Sequence, residues 1–401
     1  MMDDVRQERR RGASAGVVHS ALAVGGFAIG TTEFATMSLL PFFAHDLGIS
    51  EPVAGHVISA YALGVVVGAP LIAVLSARMA RRTLLIVLMS VFAIANGLSA
   101  LAPTYHWMLL FRFLSGLPHG AYFGIAALVA ASLVPVERRT QAVSRVLLGL
   151  TIATIVGVPF ANWLGQALGW RWGFAVVAIL ATLTAILVAV FAPRDRPDSG
   201  ASSLRELGAL KRGQVWLTLA TGAIGFGGLF AVYTYLASTL MAVTGVSAAT
   251  VPVALAAFGI GLTAGNLIAP HFADRALMPT AGALLVWSAI ALALYPFAAG
   301  HLWSLLLDVV AVGFGGALGT VMQTRLMDVA GDAQALAAAL NHSAFNTANA
   351  LGPWLGGMAI AAGYGWTSTG WVGCALALAG LAIWAISARG EAIQRPVSAP
   401  G

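Results

Sequence analysis

The stretch PRDRPDSGASSLRELGALKRG, residues 193–213, is the longest polar segment of a chain that is otherwise strongly apolar. It is rich in proline, serine and charged residues, a composition typical of a loop. Six apolar segments precede it and six follow it, and each has the roughly 20 residues that a helix needs to cross a membrane. The stretch therefore predicts a linker between two six-helix halves.

The composition of the whole chain indicates a membrane protein. Its 401 residues are 59% hydrophobic and only 9% charged, whereas soluble domains carry about 25% charged residues. So few charges could not cover the surface of a soluble protein, so the predicted fold class is an all-α polytopic membrane protein with twelve transmembrane helices. The predicted spans, numbered 1 to 12, are 17–44, 53–77, 83–102, 107–134, 142–166, 172–192, 215–242, 251–273, 279–299, 302–324, 335–362 and 366–388.

Lysine and arginine set the predicted orientation. With the N-terminus in the cytoplasm, 19 of the 21 basic residues lie on cytoplasmic segments, while the outer loops carry only Arg171 and span 4 carries Arg112. Such an excess is typical of cytoplasmic loops. We therefore expect both termini in the cytoplasm and the protein in the inner (plasma) membrane of a bacterium. The net charge of +6 is expected to face anionic lipid rather than nucleic acid.

The same pattern predicts five regions. They are a basic cytoplasmic N-terminus (1–16), an N-terminal six-helix bundle (17–192), a cytoplasmic linker (193–213), a C-terminal six-helix bundle (214–388) and a cytoplasmic tail (389–401).

Internal similarity indicates that the two halves are homologous repeats. SARMARR (76–82) after span 2 resembles ADRALMP (273–279) after span 8, and GVPFANWLG (157–165) in span 5 resembles LGPWLGG (351–357) in span 11. Because both halves begin on the same side of the membrane, they are parallel repeats. Such repeats place a solute pathway between the two halves.

The segment GAPLIAVLSARMARR (68–82) joins spans 2 and 3. It resembles the loop motif of the major facilitator superfamily of transporters. Ala77 stands where that motif has an aspartate and Ala80 where it has a second glycine, but the second-half copy keeps Asp274 and Arg275. The matching positions are Gly68, Arg78, Arg81 and Arg82.

Two further motifs extend this resemblance over the whole chain. RFLSGLPHGA (112–121) is similar to the family's span-4 motif, and GLTIATIVGVPFANWLG (149–165) to its span-5 motif, which marks exporters rather than importers. With GTTEFATMSLLP (30–41), they resemble the arabinose-efflux-permease-like branch of the drug:proton antiporters. The gating residues that the resemblance implies are Gly149, Gly157, Pro159, Arg78, Arg81, Arg82, Asp274 and Arg275.

Glu33 is an acid inside predicted span 1, about 16 Å from the end of that span at 1.5 Å per residue. An unpaired charge in the membrane interior costs roughly 2.5–3.5 kcal/mol even on lenient scales. Burial raises the pKa of a carboxyl and a nearby cation lowers it. A carboxyl subject to both effects can take up and release a proton. The structural alternative is a neutral Glu33 that forms a hydrogen bond with Thr31 or Thr36.

Arg112 in span 4 is the cation that we expect near Glu33. An arginine inside a membrane stays charged, so an acid or backbone carbonyls must satisfy it. A purely structural tie to the carbonyls of a neighbouring span is the alternative. His119 follows seven residues later on the same helical face, where it could relay protons, contact the solute or only satisfy its own hydrogen bonds. We interpret Glu33, Arg112 and His119 as the proton-coupling residues.

The candidate residues of the substrate cavity are polar or aromatic. Aromatic side chains are equally suited to packing, and asparagines to hydrogen bonds between helices. Asp308 in span 10, near the repeat-equivalent position of Arg112, is either a solvated acid at the outer mouth or a second functional acid. The cavity candidates are Thr32, Phe34, Tyr61, Phe123, Tyr233, Asn341 and Asn346.

These features predict a secondary active exporter of a small organic solute, a drug or a sugar, coupled to protons. The sequence has no GxxxxGK(S/T) loop, no HExxH or GxSxG motif and no Cys/His metal spacing, so we expect no enzyme activity, cofactor or metal. The expected partners are the solute, protons and membrane lipid, and the expected state is a monomer. The alternatives are a proton-independent or proton-symport transporter of sugars or metabolites, and a non-transporting membrane receptor or scaffold.

Overall fold

The computed structural model describes residues 14–76, 79–135, 138–195, 211–330 and 334–394. None of these residues forms a strand, and the described part of each of the twelve predicted spans is helical. Eleven helices among the described residues are long and apolar enough to cross a membrane. The helix of predicted span 11 is not one of the eleven, because three asparagines and one histidine lower its mean hydropathy. These residues are Asn341, His342, Asn346 and Asn349.

The described residues form two compact units. The first unit falls within Met1–Ser50, Ala60–Ser203 and Val251–Ala256, and the second within Glu51–Ser59, Leu204–Thr250 and Ala257–Gly401.

Eight helices lie between residues 15 and 191. A π-helical turn, Ala153–Gly157, joins the two helices of predicted span 5. The helices are α1 (Ala15–Ser38), α2 (Leu40–Asp46), α3 (Glu51–Leu75), α4 (Arg81–Ala100), α5 (Tyr105–Ser132), α6 (Arg139–Ile152), α7 (Val158–Leu168) and α8 (Arg171–Phe191).

Nine more helices follow the linker. Predicted span 7 is divided into three short helices, and predicted span 10 is interrupted by a 3-10 turn at Gly315–Ala317. The helices are α9 (Gly213–Gly225), α10 (Gly227–Thr234), α11 (Leu236–Ala242), α12 (Val251–Ala273), α13 (Leu277–Ala298), α14 (Leu302–Phe314), α15 (Leu318–Ala330), α16 (Gln334–Ala359) and α17 (Ser368–Gln394).

The interior of the first unit is formed by α1, α3, α4, α5, α6 and α8. The α4 helix packs against both α5 and α8, and α1 packs against α6 and α8. Buried aromatic rings such as Phe92 and Tyr122 fill this interior. Helices in lipid associate through packing and interhelical hydrogen bonds, and the Tyr122 hydroxyl supplies one such bond by donating to the Leu22 carbonyl at 2.7 Å. This packing positions the polar residues of α1, α3 and α5 described below.

The two units contain the same glycine-dependent helix crossing, between α3 and α5 in the first and between α12 and α14 in the second. A Cβ atom on any of six glycines would lie 2.1–2.4 Å from a backbone oxygen of the facing helix, which is too close for any other residue. Each glycine of the first unit precedes its counterpart by 197 positions, which confirms the internal repeat. The pairs are Gly64 and Gly261, Gly68 and Gly265, and Gly116 and Gly313.

A polar cluster ties together three helix ends of the first unit. The Asp46 carboxylate at the end of α2 forms an ion pair with Arg171 at the start of α8, and the Trp170 indole donates to the same oxygen at 3.0 Å. Arg171 also donates to the Ala102 carbonyl after α4 at 3.4 Å. The ends of α2, α4 and the start of α8 therefore lie on one side of this unit.

Candidate functional site

The structure brings Glu33 and Arg112 together in the interior of the first unit. Glu33 on α1 is 4% exposed and Arg112 on α5 is 1% exposed. The two side chains lie close enough for an electrostatic interaction. Of the two threonines that could have bonded to Glu33, Thr36 donates to the Thr32 carbonyl at 2.6 Å, and the Thr31 hydroxyl has no hydrogen-bond partner among the described residues.

Arg112 is held by side chains of four other helices. Its Nη1 donates to Thr32 Oγ1 at 3.0 Å and to Asn96 Oδ1 at 3.4 Å. Its guanidinium carbon lies 4.3 Å from the centre of the Tyr61 ring and 5.4 Å from that of Phe174. These contacts are all to side chains rather than to backbone carbonyls.

The network continues from Arg112 to His119 through Tyr61. The Tyr61 hydroxyl and His119 Nδ1 share a hydrogen bond of 2.8 Å. The His119 ring packs edge-on against Phe123 at 5.5 Å between ring centres. All three rings are buried. A continuous series of polar and aromatic side chains therefore runs from Glu33 to His119 across α1, α3 and α5.

Sequence reasoning missed two members of this site, Asn96 and Phe174. Asn96 is fully buried in α4, accepts a hydrogen bond from Thr32 at 2.8 Å and donates to the Phe92 carbonyl at 2.9 Å. An amide in an apolar span needs partners, so the position of Asn96 in span 3 was a usable signal. Phe174 carries no such signal, because one more phenylalanine in an apolar segment does not stand out.

The other cavity candidates divide between the two units. Phe34, next to Glu33 on α1, is buried in the first unit. In the second unit Tyr233 packs against Phe258, with 4.3 Å between ring centres. The Asn346 amide donates to the His342 carbonyl of its own helix at 3.0 Å, and its Oδ1 has no hydrogen-bond partner among the described residues.

Asn341 is half-buried and lines a small cavity of about 10 Å³ beside Phe226 and Phe345. A cavity of this size has room for about one water molecule. Asn341 therefore borders a space far smaller than a drug or a sugar.

The span-5 glycines lie where α1 comes closest. A Cβ on Gly149 would be 2.0 Å from the Ala23 carbonyl oxygen, and one on Gly157 would be 2.3 Å from Thr31 Oγ1. Pro159 is the second residue of α7, directly after the π-helical turn. Small residues thus allow close approach here, beside the π-helical turn and the proline that follows it.

The charged gating candidates occupy different environments. Arg78 lies outside the described residues. The backbone amides of Arg81 and Arg82 donate to the two oxygens of Asp195, at 2.6 and 3.2 Å. This arrangement caps the N-terminus of α4 with a carboxylate that the sequence analysis did not single out. Asp274 and Arg275 after α12 are exposed.

Asp308 on α14 is 8% exposed, and its Oδ2 has no hydrogen-bond partner among the described residues. The alternative of a well-solvated acid therefore does not fit. The glycine contacts give a repeat offset of 197 positions, so the counterpart of Arg112 is Val309 rather than Asp308.

Comparison with known proteins agrees with the fold. The family model described as Major Facilitator Superfamily matches residues 22–276 and 231–401. The inner membrane transport protein YdhP of Escherichia coli (strain K12) is 40% identical over 371 residues, which are 92% of this chain and 95% of YdhP. The chloramphenicol resistance protein of Streptomyces lividans is 35% identical over 83% of this chain and 86% of that protein.

A solved structure has the same architecture. It is the crystal structure of a bacterial homolog of the human lysosomal transporter Spinster, in an inward-facing and unoccupied conformation, with a TM-score of 0.71 and 17% identity over 96% of this chain and 99% of that one. The chain therefore belongs to the major facilitator superfamily and is a multi-pass membrane transporter, not an enzyme.

Proposed function

We propose that this transporter exports a small organic solute, a drug or a sugar, and that inward movement of protons drives the export. The observation that carries the proposal is the burial of Glu33 beside Arg112. A carboxyl in this position has two states that differ by one charge, while the arginine keeps its charge in both. Protonation of Glu33 therefore changes the net charge of the buried site.

Arg112 has partners for either state of Glu33. The ionised carboxylate supplies a counter-charge, and when Glu33 is protonated the guanidinium still has Thr32, Asn96 and the face of Tyr61. A proton favours whichever conformation stabilises the protonated state more, and so shifts the population between conformations. His119, bonded to Tyr61, extends the site and either relays the proton or contacts the solute.

The direction of transport and the location are inferred from the relatives and the motifs. Resistance to chloramphenicol, a small organic antibiotic, is an effect expected of an exporter, and the span-5 motif of this chain is of the exporter type. YdhP is named as an inner membrane protein, so we place this chain in a bacterial inner membrane with both termini in the cytoplasm. In this proposal Gly149, Gly157 and Pro159 set the flexibility of the gate.

The proposal is tested with the purified protein in liposomes that contain a pH-sensitive dye. Under an imposed pH gradient, a panel of lipophilic antibiotics and sugars is screened for solute-dependent proton movement. Replacing Glu33 with glutamine removes the titrating group, so Glu33→Gln is expected to reduce this proton movement to the level of empty liposomes. Exchange of labelled for unlabelled solute at equal pH needs no net proton transfer, and we expect it to persist in the variant.

The matched control is Glu51→Gln. Glu51, at the start of α3, accepts a hydrogen bond from Ser238, and this variant is expected to keep proton-coupled transport. If Glu33→Gln transports protons with the solute as the unmodified protein does, the assignment of Glu33 is wrong. If no solute of the panel moves protons under any gradient, the proposed coupling of protons to drugs or sugars is contradicted.

A further inference from the structure

A groove of about 360 Å³ runs between α4 and α8 on the surface of the first unit. Ala93 and Ala185 form its floor and are each 9% exposed. Ile94 and Ile186 flank it and are each more than half exposed. The two alanines of the floor lie between the two larger isoleucines. The groove is therefore narrow, and its floor and sides are apolar.

The dimensions of the groove match one acyl chain. Its lining begins near Ile86 on α4 and Ala189 on α8 and extends to Ile94. Between Arg82 and Ile94, α4 rises about 18 Å at 1.5 Å per residue. One leaflet of a bilayer has about half of the roughly 30 Å hydrocarbon thickness. A chain lying in the groove would therefore reach from the interface to about the middle of the membrane.

Positive charge lies at the interfacial end of the groove. The Arg82 guanidinium donates to the carbonyl of Ala189, a lining residue, so its position at the groove is fixed. Its Nε has no hydrogen-bond partner among the described residues. Arg81 precedes it in α4, and exposed Arg194 precedes Asp195.

Among the described residues at this end, the carboxylate of Asp195 already has partners. Both oxygens of Asp195 accept hydrogen bonds from the backbone amides of Arg81 and Arg82. Within the described ranges, neither of these two guanidinium groups forms an ion pair. Counting the described residues alone, the three arginines and Asp195 leave an excess of two positive charges. Such an excess favours a phosphate headgroup that carries no amine of its own.

We propose that this groove binds an anionic phospholipid, with one acyl chain between α4 and α8 and the phosphate on Arg81 and Arg82. Arginine presents a planar set of donors that fits phosphate oxygens. Lipids of the cytoplasmic leaflet supply such headgroups, in agreement with the orientation expected from the basic loops. The site is separate from Glu33 and does not depend on the transport direction.

The site is tested with the full-length protein in phosphatidylcholine vesicles that contain a trace of phosphatidylglycerol with a photoactivatable acyl chain. We expect cross-links to map by mass spectrometry to residues 82–94 and 182–189. Unlabelled phosphatidylglycerol is expected to compete for the site, and unlabelled phosphatidylcholine is not. The double variant Arg81→Gln, Arg82→Gln should weaken this competition by about twenty-five-fold, at about five-fold for each basic residue.

A second variant tests the groove itself. Ser90→Phe places a ring in the groove and is expected to abolish the cross-links, whereas the control Val87→Phe adds the same ring at a 44% exposed position outside the lining and should leave them. Size-exclusion profiles of each variant check that it is folded. Labelling spread evenly over the lipid-facing helices, or equal competition by phosphatidylcholine, would overturn the proposal.

Discussion

Arg112 is held in the membrane interior by several partners of moderate strength. Its guanidinium forms hydrogen bonds with Thr32 and Asn96 and lies over the Tyr61 ring. A desolvated cation–π contact contributes about 2 kcal/mol, and a hydrogen bond to a charged group about 1.5–3 kcal/mol. These contributions offset much of the cost of burying the arginine. In the proposed mechanism, Arg112 therefore keeps these contacts when Glu33 is protonated.

Asp46, which lies beyond the end of predicted span 1, provides a pH-dependent contact. Hydrogen bonds from Arg171, and then from Trp170, hold the pKa of Asp46 below its ordinary value of 3.8. Because the folded state has the lower pKa, the contact is fully stabilising above the ordinary pKa and is lost as the pH falls through the folded-state pKa. We expect Asp46→Asn to lower the melting temperature by roughly 1–2 °C at about pH 7, as for an exposed ion pair.

The measurement is thermal unfolding of the purified variant and the unmodified protein over a pH series. The difference between them should shrink as the pH falls below about 4. The control, Asp328→Asn, changes an exposed carboxyl of α15 and should show no such pattern. A difference that stays constant down to about pH 2 would mean that the carboxylate charge does not supply the stabilisation.

The ionisable members of the buried site were predictable from the sequence, because an ionisable residue is conspicuous in an apolar segment. Glu33, Arg112 and His119 were identified in this way. The bond between Tyr61 and His119 was not, since it depends on which faces of α3 and α5 meet. The close backbone contact at Gly116 determines which faces of α3 and α5 meet, and only the structure shows this contact.

At the scale of helices, the crossing of α3 and α5 depends on Gly116. An added Cβ would lie 2.1 Å from the Tyr61 carbonyl oxygen, so Gly116→Ala must push the helices apart and disturb Tyr61. Overpacking typically costs about 1–3 kcal/mol, against a gain of up to about 1 kcal/mol from helix propensity. We expect a lower melting temperature for Gly116→Ala, and the same for its repeat counterpart Gly313→Ala.

The same helix provides the control. Gly124 has no atom within 4 Å of an added Cβ, so Gly124→Ala should be neutral or slightly stabilising. Equal melting temperatures for Gly116→Ala and Gly124→Ala would contradict the requirement for close approach. Thermal unfolding in one detergent at one pH is sufficient for this comparison.

The spans themselves were predictable because length and hydropathy alone define a helix that crosses a membrane. Their internal breaks were not. Predicted span 7 is divided at Phe226 and Tyr235, and predicted span 5 contains the π-helical turn Ala153–Gly157. Such local changes of helix type depend on tertiary packing more than on residue preference, and the apolar composition is the same on both sides of each break.

At the scale of the whole molecule, the ends of the first unit differ in charge. One end carries Asp46 with Arg171. The other carries Arg81, Arg82 and Arg194 around Asp195. Among the described residues, the two charges of the ion pair cancel at the first end, and the three arginines exceed the one aspartate at the second. Because cytoplasmic loops carry an excess of lysine and arginine, the end with Arg81, Arg82 and Arg194 is predicted to face the cytoplasm.

Cysteine labelling tests this orientation directly. The chain has a single cysteine, Cys374, so Cys374→Ala gives a background without thiols. Exposed positions on the two predicted sides then receive one cysteine each: Ser50 and His301 for the outside, and Arg138 and Ala276 for the cytoplasm. An impermeant maleimide added to intact cells should label the first two, because loops poor in lysine and arginine are exported. The cytoplasmic positions should react only after the membrane is permeabilised. Labelling of Arg138→Cys or Ala276→Cys in intact cells would reverse the orientation, and with it the expected leaflet of the lipid site.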